Sequence, residues 1–197
     1  FDKKLKAFHR RSSRHVLVLE TTMSYKDKCR VFHYADLLRK AGNELVAIMN
    51  NHLKQLCKTK KYKQLKSLYA KYYKAKDHAK CKHIALQLNE LYESYNLTKR
   101  YCEKAMIPIG KKYQIGSVFA LAKAEDVWKG VEKCLFSKGR FLHFSKYNEL
   151  PVIRAKQNCT GIILKEENDK LQFKFNGSTF GVAIKDGFEK DEVNSIL

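Results

Sequence analysis

The sequence predicts an α+β fold in which a helical bundle is inserted after the first strand of a small β-barrel or curled sheet. Two patterns lead to this prediction. A short β-branched segment precedes about 110 residues with helical periodicity, and after Gly139 the apolar residues change to a period of two. Size is the third observation, because a chain of 197 residues that is 44% hydrophobic can bury a substantial core.

The amino-terminal part of the chain supplies the first strand and the first helices. Residues 14–23 form a short segment rich in apolar and β-branched side chains, which is typical of a strand. Apolar residues then recur at helical spacing, in stripes that would face a core. This spacing predicts three helices, over residues 31–56, 62–76 and 79–94.

Two further helices are predicted from their end signals. Thr98 is a candidate N-cap for a short helix that ends before Pro108, because a threonine hydroxyl accepts a hydrogen bond from the first turn and proline disrupts a helix interior. Ser117 is a candidate N-cap for a longer helix, which Gly139 ends.

The alternating segments after Gly139 predict a group of short strands. Hairpin turns are expected where Asn, Asp and Gly cluster, at residues 167–169 and 176–178. The predicted strands cover residues 141–144, 152–153, 161–164, 171–175 and 179–184.

The predicted elements divide the chain into three parts. A basic arm and the first barrel strand occupy residues 1–28, the inserted helical bundle occupies 29–138, and the remaining barrel strands occupy 139–197. Sequence similarity between segments would indicate a repeat protein, and none is visible.

Positive charge is the strongest compositional signal. The chain carries 40 Lys and Arg against 20 Asp and Glu, a formal net charge of +20. Residues 1–157 hold 35 basic and 13 acidic side chains, whereas 158–197 hold 5 and 7. The densest block, Lys54 to Lys82, has eleven lysines and one acid, Asp77. Such a charge on a folded chain favours a polyanionic partner, and we expect a nucleic acid.

Two further interpretations of the charge stay open at this point. A lysine-rich helix face can serve solubility alone, and an anionic membrane surface can also attract lysines. A membrane-spanning protein is excluded by the pattern, because no apolar run approaches the roughly 20 residues that cross a bilayer. The basic first fifteen residues also lack the apolar centre of a secretory signal.

The sequence offers no recognisable catalytic constellation. It contains no glycine-rich phosphate loop, nucleophile elbow or H-E-x-x-H motif. Glu125 and Asp126 are adjacent on a predicted helix, so we expect them on different faces and not as a metal clamp. The six cysteines never form C-x-x-C, which is typical of free thiols in a reducing compartment and not of a zinc site. No catalytic residue, metal site or cofactor is therefore expected within this segment.

Three basic clusters are candidates for contacts with phosphates. The first mixes lysines with an aromatic residue along one predicted helix, the second brackets the strands after Gly139, and the third is the amino-terminal arm. The candidates are Lys58, Lys60, Lys61, Tyr62, Lys63, Lys66 and Lys74 in the first cluster, Lys138, Arg140, His143, Lys146, Arg154 and Lys156 in the second, and Arg14 in the third.

The tyrosines of the first cluster have two possible roles. Tyr62 is the candidate for stacking on a base, because it stands among lysines that would follow a phosphate backbone. Tyr69, Tyr72 and Tyr73 share helical spacing with Leu65 and Leu68, so we expect them in the core.

Two stretches carry a resemblance to a known family. The first runs from Ala124 to Arg140 and continues through Leu142 to Tyr147, and the second runs from Lys156 to Ile162. Together they resemble the amino-terminal half of the TnpB-like (OrfB-type) transposon-encoded proteins, relatives of the type V CRISPR effectors. In that family a helix ending in a basic glycine turn precedes a K-x-x-F-K-like strand, and a K-S-N-x-T-G-I segment follows.

The match to the second motif is partial. The chain has Gln157 where the family usually has serine, and Leu150-Pro151 where a shorter, more polar turn is common. The matching positions are Lys156, Asn158, Thr160, Gly161 and Ile162, of which Lys156, Asn158 and Thr160 are carried over as nucleic-acid contacts.

The resemblance implies a wedge-like, oligonucleotide-binding-type β-barrel interrupted by a helical recognition lobe. In the family these parts hold the guide RNA scaffold and the guide–target heteroduplex, mostly through backbone and shape. The implied partners are therefore a structured guide RNA and target DNA. The implied location is the bacterial cytoplasm, at the nucleoid when DNA is bound.

The resemblance also implies that the chain is a piece of a longer protein. The family's cleaving part is a RuvC-like domain that uses a divalent metal such as Mg²⁺ and precedes a zinc ribbon, and neither is recognisable before Leu197. We therefore expect the nucleic-acid-binding half of an RNA-guided DNA endonuclease, without its catalytic domain. The alternatives are a self-standing basic RNA- or DNA-binding protein, and a helical module whose basic face binds an acidic protein.

Overall fold

A computed structural model of the chain describes residues 20–137, 139–147, 149, 152–155, 160–167 and 170–183. These residues form five helices and four strands, so the predicted α+β class is confirmed. In chain order the elements are β1 (Glu20–Thr22), α1 (Tyr25–Lys58), α2 (Lys60–Lys74), α3 (His78–Ser94), α4 (Lys99–Lys112), α5 (Ser117–Phe136), β2 (Ile162–Glu167), β3 (Lys170–Phe175) and β4 (Ser178–Ala183).

The helices pack around the long helix α1. It contacts α2, α4 and α5, while α4 packs against α5 and α2 against α3. Leu45, Met49 and Leu56 of α1 are fully buried, as are Val131 and Leu135 of α5. Their spacing of four or seven residues places them on one side of each helix, which is why the apolar periodicity predicted these elements.

Hydroxyl and carboxyl caps start three of the helices. The Thr59, Asp77 and Thr98 side chains accept hydrogen bonds from backbone N–H groups three residues later, at 3.4, 3.1 and 3.1 Å. The predicted cap at Thr98 is therefore confirmed. The predicted cap at Ser117 is wrong, because Gly116 is the N-cap of α5 and the Tyr34 hydroxyl accepts a hydrogen bond from its N–H at 3.1 Å.

Pro108 does not end helix α4, contrary to the prediction. The helix continues through it to Lys112. A proline inside a helix removes one N–H donor and crowds the carbonyl four residues earlier. Pro108 lies on the exposed side, where water can satisfy that carbonyl, while Met106 and Ile109 beside it are buried and hold the helix in place.

The strands form one sheet in the order β1-β4-β3-β2. β4 pairs antiparallel with β1 (Thr21 opposite Val182) and with β3 (Phe173 opposite Phe180). The predicted hairpin turn at 176–178 is confirmed, because Asn176 and Gly177 both have the positive φ angles of a two-residue turn between twisted strands. Leu171, Phe175 and Phe180 are the buried residues of this sheet among those described.

The described strands do not close into a barrel. β1 and β2 are the two edges of an open four-stranded sheet. The strands predicted at 141–144 and 152–153, which a closed barrel would have used, are wrong, because residues 141–147 and 152–155 belong to no strand. Leu142 and Ser145 find their hydrogen-bond partners on helix α1 instead.

The chain divides into two compact units. One contains the described residues up to Ser24 and from Ile163 onward, and the other spans Tyr25–Ile162. The described residues between 139 and 162 therefore fall with the helices and not with the later strands. No described helix is both long and apolar enough to span a membrane.

Candidate nucleic-acid interface

Helix α2 presents a lysine face to solvent. Leu65 is its one buried residue, and Lys60, Lys63, Lys71 and Lys74 lie on the opposite side of the helix, all exposed. Lys61 is also exposed, although it lies one turn before Leu65 on the same side of the helix. The helix forms because Thr59 caps it and because its remaining residues are mostly good helix formers. Its stability does not require the lysines to be paired.

The lysines of the block from Lys54 to Lys82 are almost unopposed by acids. Within the described part of the chain, Lys80 is the one member that forms an ion pair, with Asp77 at 3.0 Å. The backbone N–H and the ammonium of Lys80 both hydrogen-bond this carboxylate and hold the pKa of Asp77 below its ordinary value. The block therefore keeps most of its positive charge available for an external anion.

Lys66 is placed differently from the other lysines of α2. Its ammonium donates a hydrogen bond to the backbone carbonyl of Leu135 at 2.9 Å. This carbonyl lies in the last turn of α5, where a helix carries partial negative charge and lacks internal donors. Lys66 thus serves α5 as a carboxyl-terminal cap and is not a free phosphate contact.

Tyr62 is more buried, and Tyr73 more exposed, than the sequence predicts. Tyr62 is half-buried and packs edge-on against Tyr92 at 6.4 Å, and burial raises its pKa. Tyr73, predicted to be in the core, is 68% exposed and stacks on half-buried Tyr69 at 6.2 Å. The Lys80 ammonium lies 5.2 Å from the ring centre of half-buried Tyr72. The more accessible stacking surface is therefore Tyr73, not Tyr62.

A second basic surface is built on an extended segment, residues 139–147, that lies along α1. Asn50 holds Leu142 through two hydrogen bonds, from its amide nitrogen to the Leu142 carbonyl (3.0 Å) and from the Leu142 N–H to its amide oxygen (2.9 Å). Asn43 holds Ser145 in the same way, at 3.0 and 2.9 Å. Each amide thus replaces the partner that a neighbouring strand would supply.

The spacing of the two asparagines matches the extended segment. Seven residues along a helix rise about 10 Å, and three residues of extended chain cover about the same distance. Asn43 and Asn50 therefore pair with Ser145 and Leu142 in antiparallel register. Buried Leu142 fills the space left by Gly130 of α5, where a Cβ atom would lie 2.7 Å from the leucine side chain.

The segment exposes aromatic and basic side chains. Leu142 points into the protein, while its neighbours remain accessible to solvent. The Arg39 guanidinium lies 5.4 Å from the ring centre of Tyr147, and such a contact limits the motion of that ring. The exposed residues are Arg140, Phe141, His143, Phe144, Lys146 and Tyr147.

The sequence prediction included Arg140, His143 and Lys146 of this segment but missed its aromatic residues. The alternation over residues 141–144 predicts a strand, and that prediction gives Phe141 and Phe144 no role in binding. The available signal was the density of aromatics between basic residues, which is typical of surfaces that stack unpaired bases. The paired asparagines at i and i+7 in α1 were a second signal.

Arg154 forms ion pairs within the fold. Its guanidinium bonds to Asp126 at 2.8 Å, to Glu125 at 3.3 Å and to the Ala122 carbonyl at 3.2 Å. Glu125 and Asp126 were expected on different helix faces, yet both reach this one guanidinium, because they are adjacent and the arginine side chain is long. Lys99 adds a contact to Glu125 at 3.6 Å.

The remaining predicted contacts are placed as follows. Lys58 and Thr160 are exposed. Arg14, Lys138, Lys156 and Asn158 lie outside the described residues, and with them most of the second family-like motif. Within the described chain no three His, Cys, Asp or Glu side chains come together as a metal site, and Cys29, Cys57, Cys81, Cys102 and Cys134 are free thiols.

Comparisons of the chain with models of known protein families, with curated proteins and with solved structures give no match. Support for a function therefore comes from the two basic surfaces and from the motifs at residues 124–147 and 156–162. Both surfaces belong to the helical unit.

Proposed function

We propose that this chain is the nucleic-acid-binding half of a TnpB-like, RNA-guided DNA endonuclease, which holds guide RNA and the guide–target heteroduplex. It would act in the bacterial cytoplasm, at the nucleoid when DNA is bound. Cleavage would belong to a RuvC-like domain, with its divalent metal, that is not in this segment.

The unpaired lysine face of α2 carries the nucleic-acid part of this proposal. Lys60, Lys61, Lys63, Lys71 and Lys74 are exposed, and none has an acidic partner within the described chain. Like charges at this density repel one another, and a phosphate backbone removes that repulsion while releasing its own counterions. A face kept only for solubility would work equally well with interspersed acids.

The extended segment supports single-stranded or splayed regions as part of the ligand. Exposed Phe141, Phe144 and Tyr147 alternate with basic residues on a backbone fixed by two asparagines. Aromatic faces beside cations are the usual means of binding unpaired bases without sequence preference. Structured RNA supplies both phosphates and unstacked bases.

The family assignment is supported by the two motifs and by the order of the elements. Within the described residues one strand precedes five helices and three strands follow, the order that an interrupted wedge-like domain requires. In this proposal the open four-stranded sheet takes the place of the family's barrel. The motif from Ala124 to Arg140 covers the end of α5 and the start of the extended segment.

The test is binding of the chain to a structured RNA, a DNA duplex and an RNA–DNA hybrid across a salt titration. The proposal predicts that the RNA and the hybrid bind at least about tenfold more tightly than duplex DNA at about 0.15 M salt. Equal affinities that vanish together by about 0.2 M salt would mean that net charge alone binds, and would contradict the proposal.

A further inference from the structure

A small cavity opens between α2, α3 and the end of α5. Its volume is about 200 Å³. Such a space is below the size of typical sites for whole drug-sized ligands and fits a single ring system. The residues that matter for its chemistry are Lys66, Tyr69, Leu88, Asn89, Tyr92 and Phe136.

Three aromatic rings, those of Tyr69, Tyr92 and Phe136, line the cavity. Tyr92 is buried and meets Phe136 edge-on, with ring centres 5.8 Å apart. Phe136 is 65% exposed although it is the last residue of α5 and lies beside this apolar core. The exposed face of the Phe136 ring at the cavity rim is a surface on which a planar base can stack.

The polar groups of the cavity differ in availability. The Lys66 ammonium is already bonded to the Leu135 carbonyl, so it brings little free charge into the space. Asn89 is exposed, and its amide has no hydrogen-bond partner among the described residues. A primary amide presents a donor and an acceptor side by side, the pattern that pairs with the edge of a nucleobase.

Charge around the cavity is ordered along α3. Lys82 lies two turns before Asn89 on the same side of the helix and is exposed, whereas the Lys80 ammonium is paired with Asp77. Glu93 lies one turn after Asn89. A phosphate backbone would therefore pass the cavity on the Lys82 side and avoid the Glu93 side.

We propose that this cavity holds one unpaired nucleobase, stacked against Phe136 and hydrogen-bonded at its edge by Asn89, with the adjoining phosphates near Lys82. The inference rests on the proposed function, because the base must belong to a bound strand. An apolar protein side chain would fill the aromatic space but would leave the Asn89 amide and the Lys82 ammonium without partners among the described residues.

The experiment measures affinities of the full 197-residue chain by fluorescence anisotropy. The probes are a labelled single-stranded RNA of about twelve nucleotides and the blunt duplex of the same sequence. The variants are F136A and N89A. The control is F32A, which removes an exposed phenylalanine outside the cavity, and circular dichroism melting checks that each variant folds.

Stacking on one aromatic ring is lost in F136A, so single-strand affinity should fall about tenfold. Because no charge is removed, the salt slope should stay that of the unchanged chain. N89A should weaken the single strand by about three- to tenfold, while duplex affinity and the F32A variant stay within about twofold. If F136A has a lowered melting temperature, N89A still tests the inference, because Asn89 is exposed and its replacement leaves the core intact.

Two results would overturn the inference, and they are distinguishable. If the unchanged chain binds RNA and N89A and F136A bind it equally well, the cavity holds no base and the proposed function survives. If the unchanged chain binds neither probe, the proposed function and the cavity's role fail together.

Discussion

Lys123 is a half-buried cation on α5 that lines a cavity between α1, α5 and the extended segment. Burial lowers its pKa, and the nearby Asp126 only partly offsets this. The folded-state pKa therefore lies below the unfolded value of about 10.4. Below the folded-state pKa, the buried and charged Lys123 ammonium destabilises the folded state by its full amount. This destabilisation disappears as the pH rises above the unfolded-state pKa.

We predict that K123M stabilises the chain at neutral pH. Methionine keeps much of the aliphatic stem and removes the charge that burial disfavours. Thermal unfolding should shift upward by at least about 2 °C, the change that ~1 kcal/mol produces in a chain of this size. The gain should shrink as the pH rises above the folded-state pKa of Lys123 and disappear above about 10.4, where the unfolded amine is also neutral.

The matched control is K129M, the same substitution at an exposed position of α5. It should change the melting temperature little. A lower melting temperature for K123M than for K129M would show that the Lys123 ammonium stabilises the fold, contrary to this prediction.

Single side chains show where sequence reasoning ends. The sequence shows that Lys66 and Arg154 carry positive charge. It does not show that Lys66 hydrogen-bonds to the Leu135 carbonyl, or that Arg154 pairs with Asp126 and Glu125. Both sets of partners are distant in sequence and are brought close only by packing. The burial of Tyr62 and the exposure of Tyr73 differ from the prediction for the same reason. Periodicity assigns a residue to a face of a helix, but it does not show which other elements pack over that face.

At the scale of the element, the segment after Gly139 depends on α1. Its extended backbone is predictable from its composition, but its partner is a pair of asparagine side chains and not a strand. The five helices and the last three strands could be predicted, because local periodicity and turn residues specify them. The pairing that decides between a closed barrel and an open sheet could not, because long-range pairing leaves no local signal.

We predict that N50A destabilises the chain by about 1–3 kcal/mol, because it leaves the Leu142 N–H and carbonyl without partners in a partly buried position. It should also release the aromatic residues of 139–147 and weaken single-strand binding. Chemical denaturation and the RNA titration measure the two effects.

N51A is the matched control, because Asn51 is the next residue of the same helix and is exposed. Both variants gain the same helix propensity from alanine, so the difference between them isolates the hydrogen bonds to Leu142. Equal stabilities of N50A and N51A would refute the claim that the asparagine holds the segment.

At the scale of the whole molecule, the chain has a net charge of +20, and its basic side chains fall into two classes. Some pair with acidic side chains within the fold, and the others form no ion pair among the described residues. Arg39, Lys40, Lys112 and Arg154 form ion pairs within the fold, whereas the α2 lysines form none within the described chain. The composition predicted a polyanionic partner, but only the structure separates these two classes. The proposed function depends above all on contacts between the free lysines of α2 and phosphates.

Those contacts can be measured through the salt dependence of RNA binding by the triple variant K60A/K61A/K63A. The control is K26A/K28A/K129A, which removes the same charge from exposed positions outside the block. Each phosphate contact contributes about 0.7 to 0.9 to the slope of log affinity against log salt. We predict a slope smaller by about two to three for the α2 variant and little change for the control. Equal slopes for the two variants would contradict the phosphate contacts. They would mean that the α2 lysines are solvated side chains that do not bind phosphates.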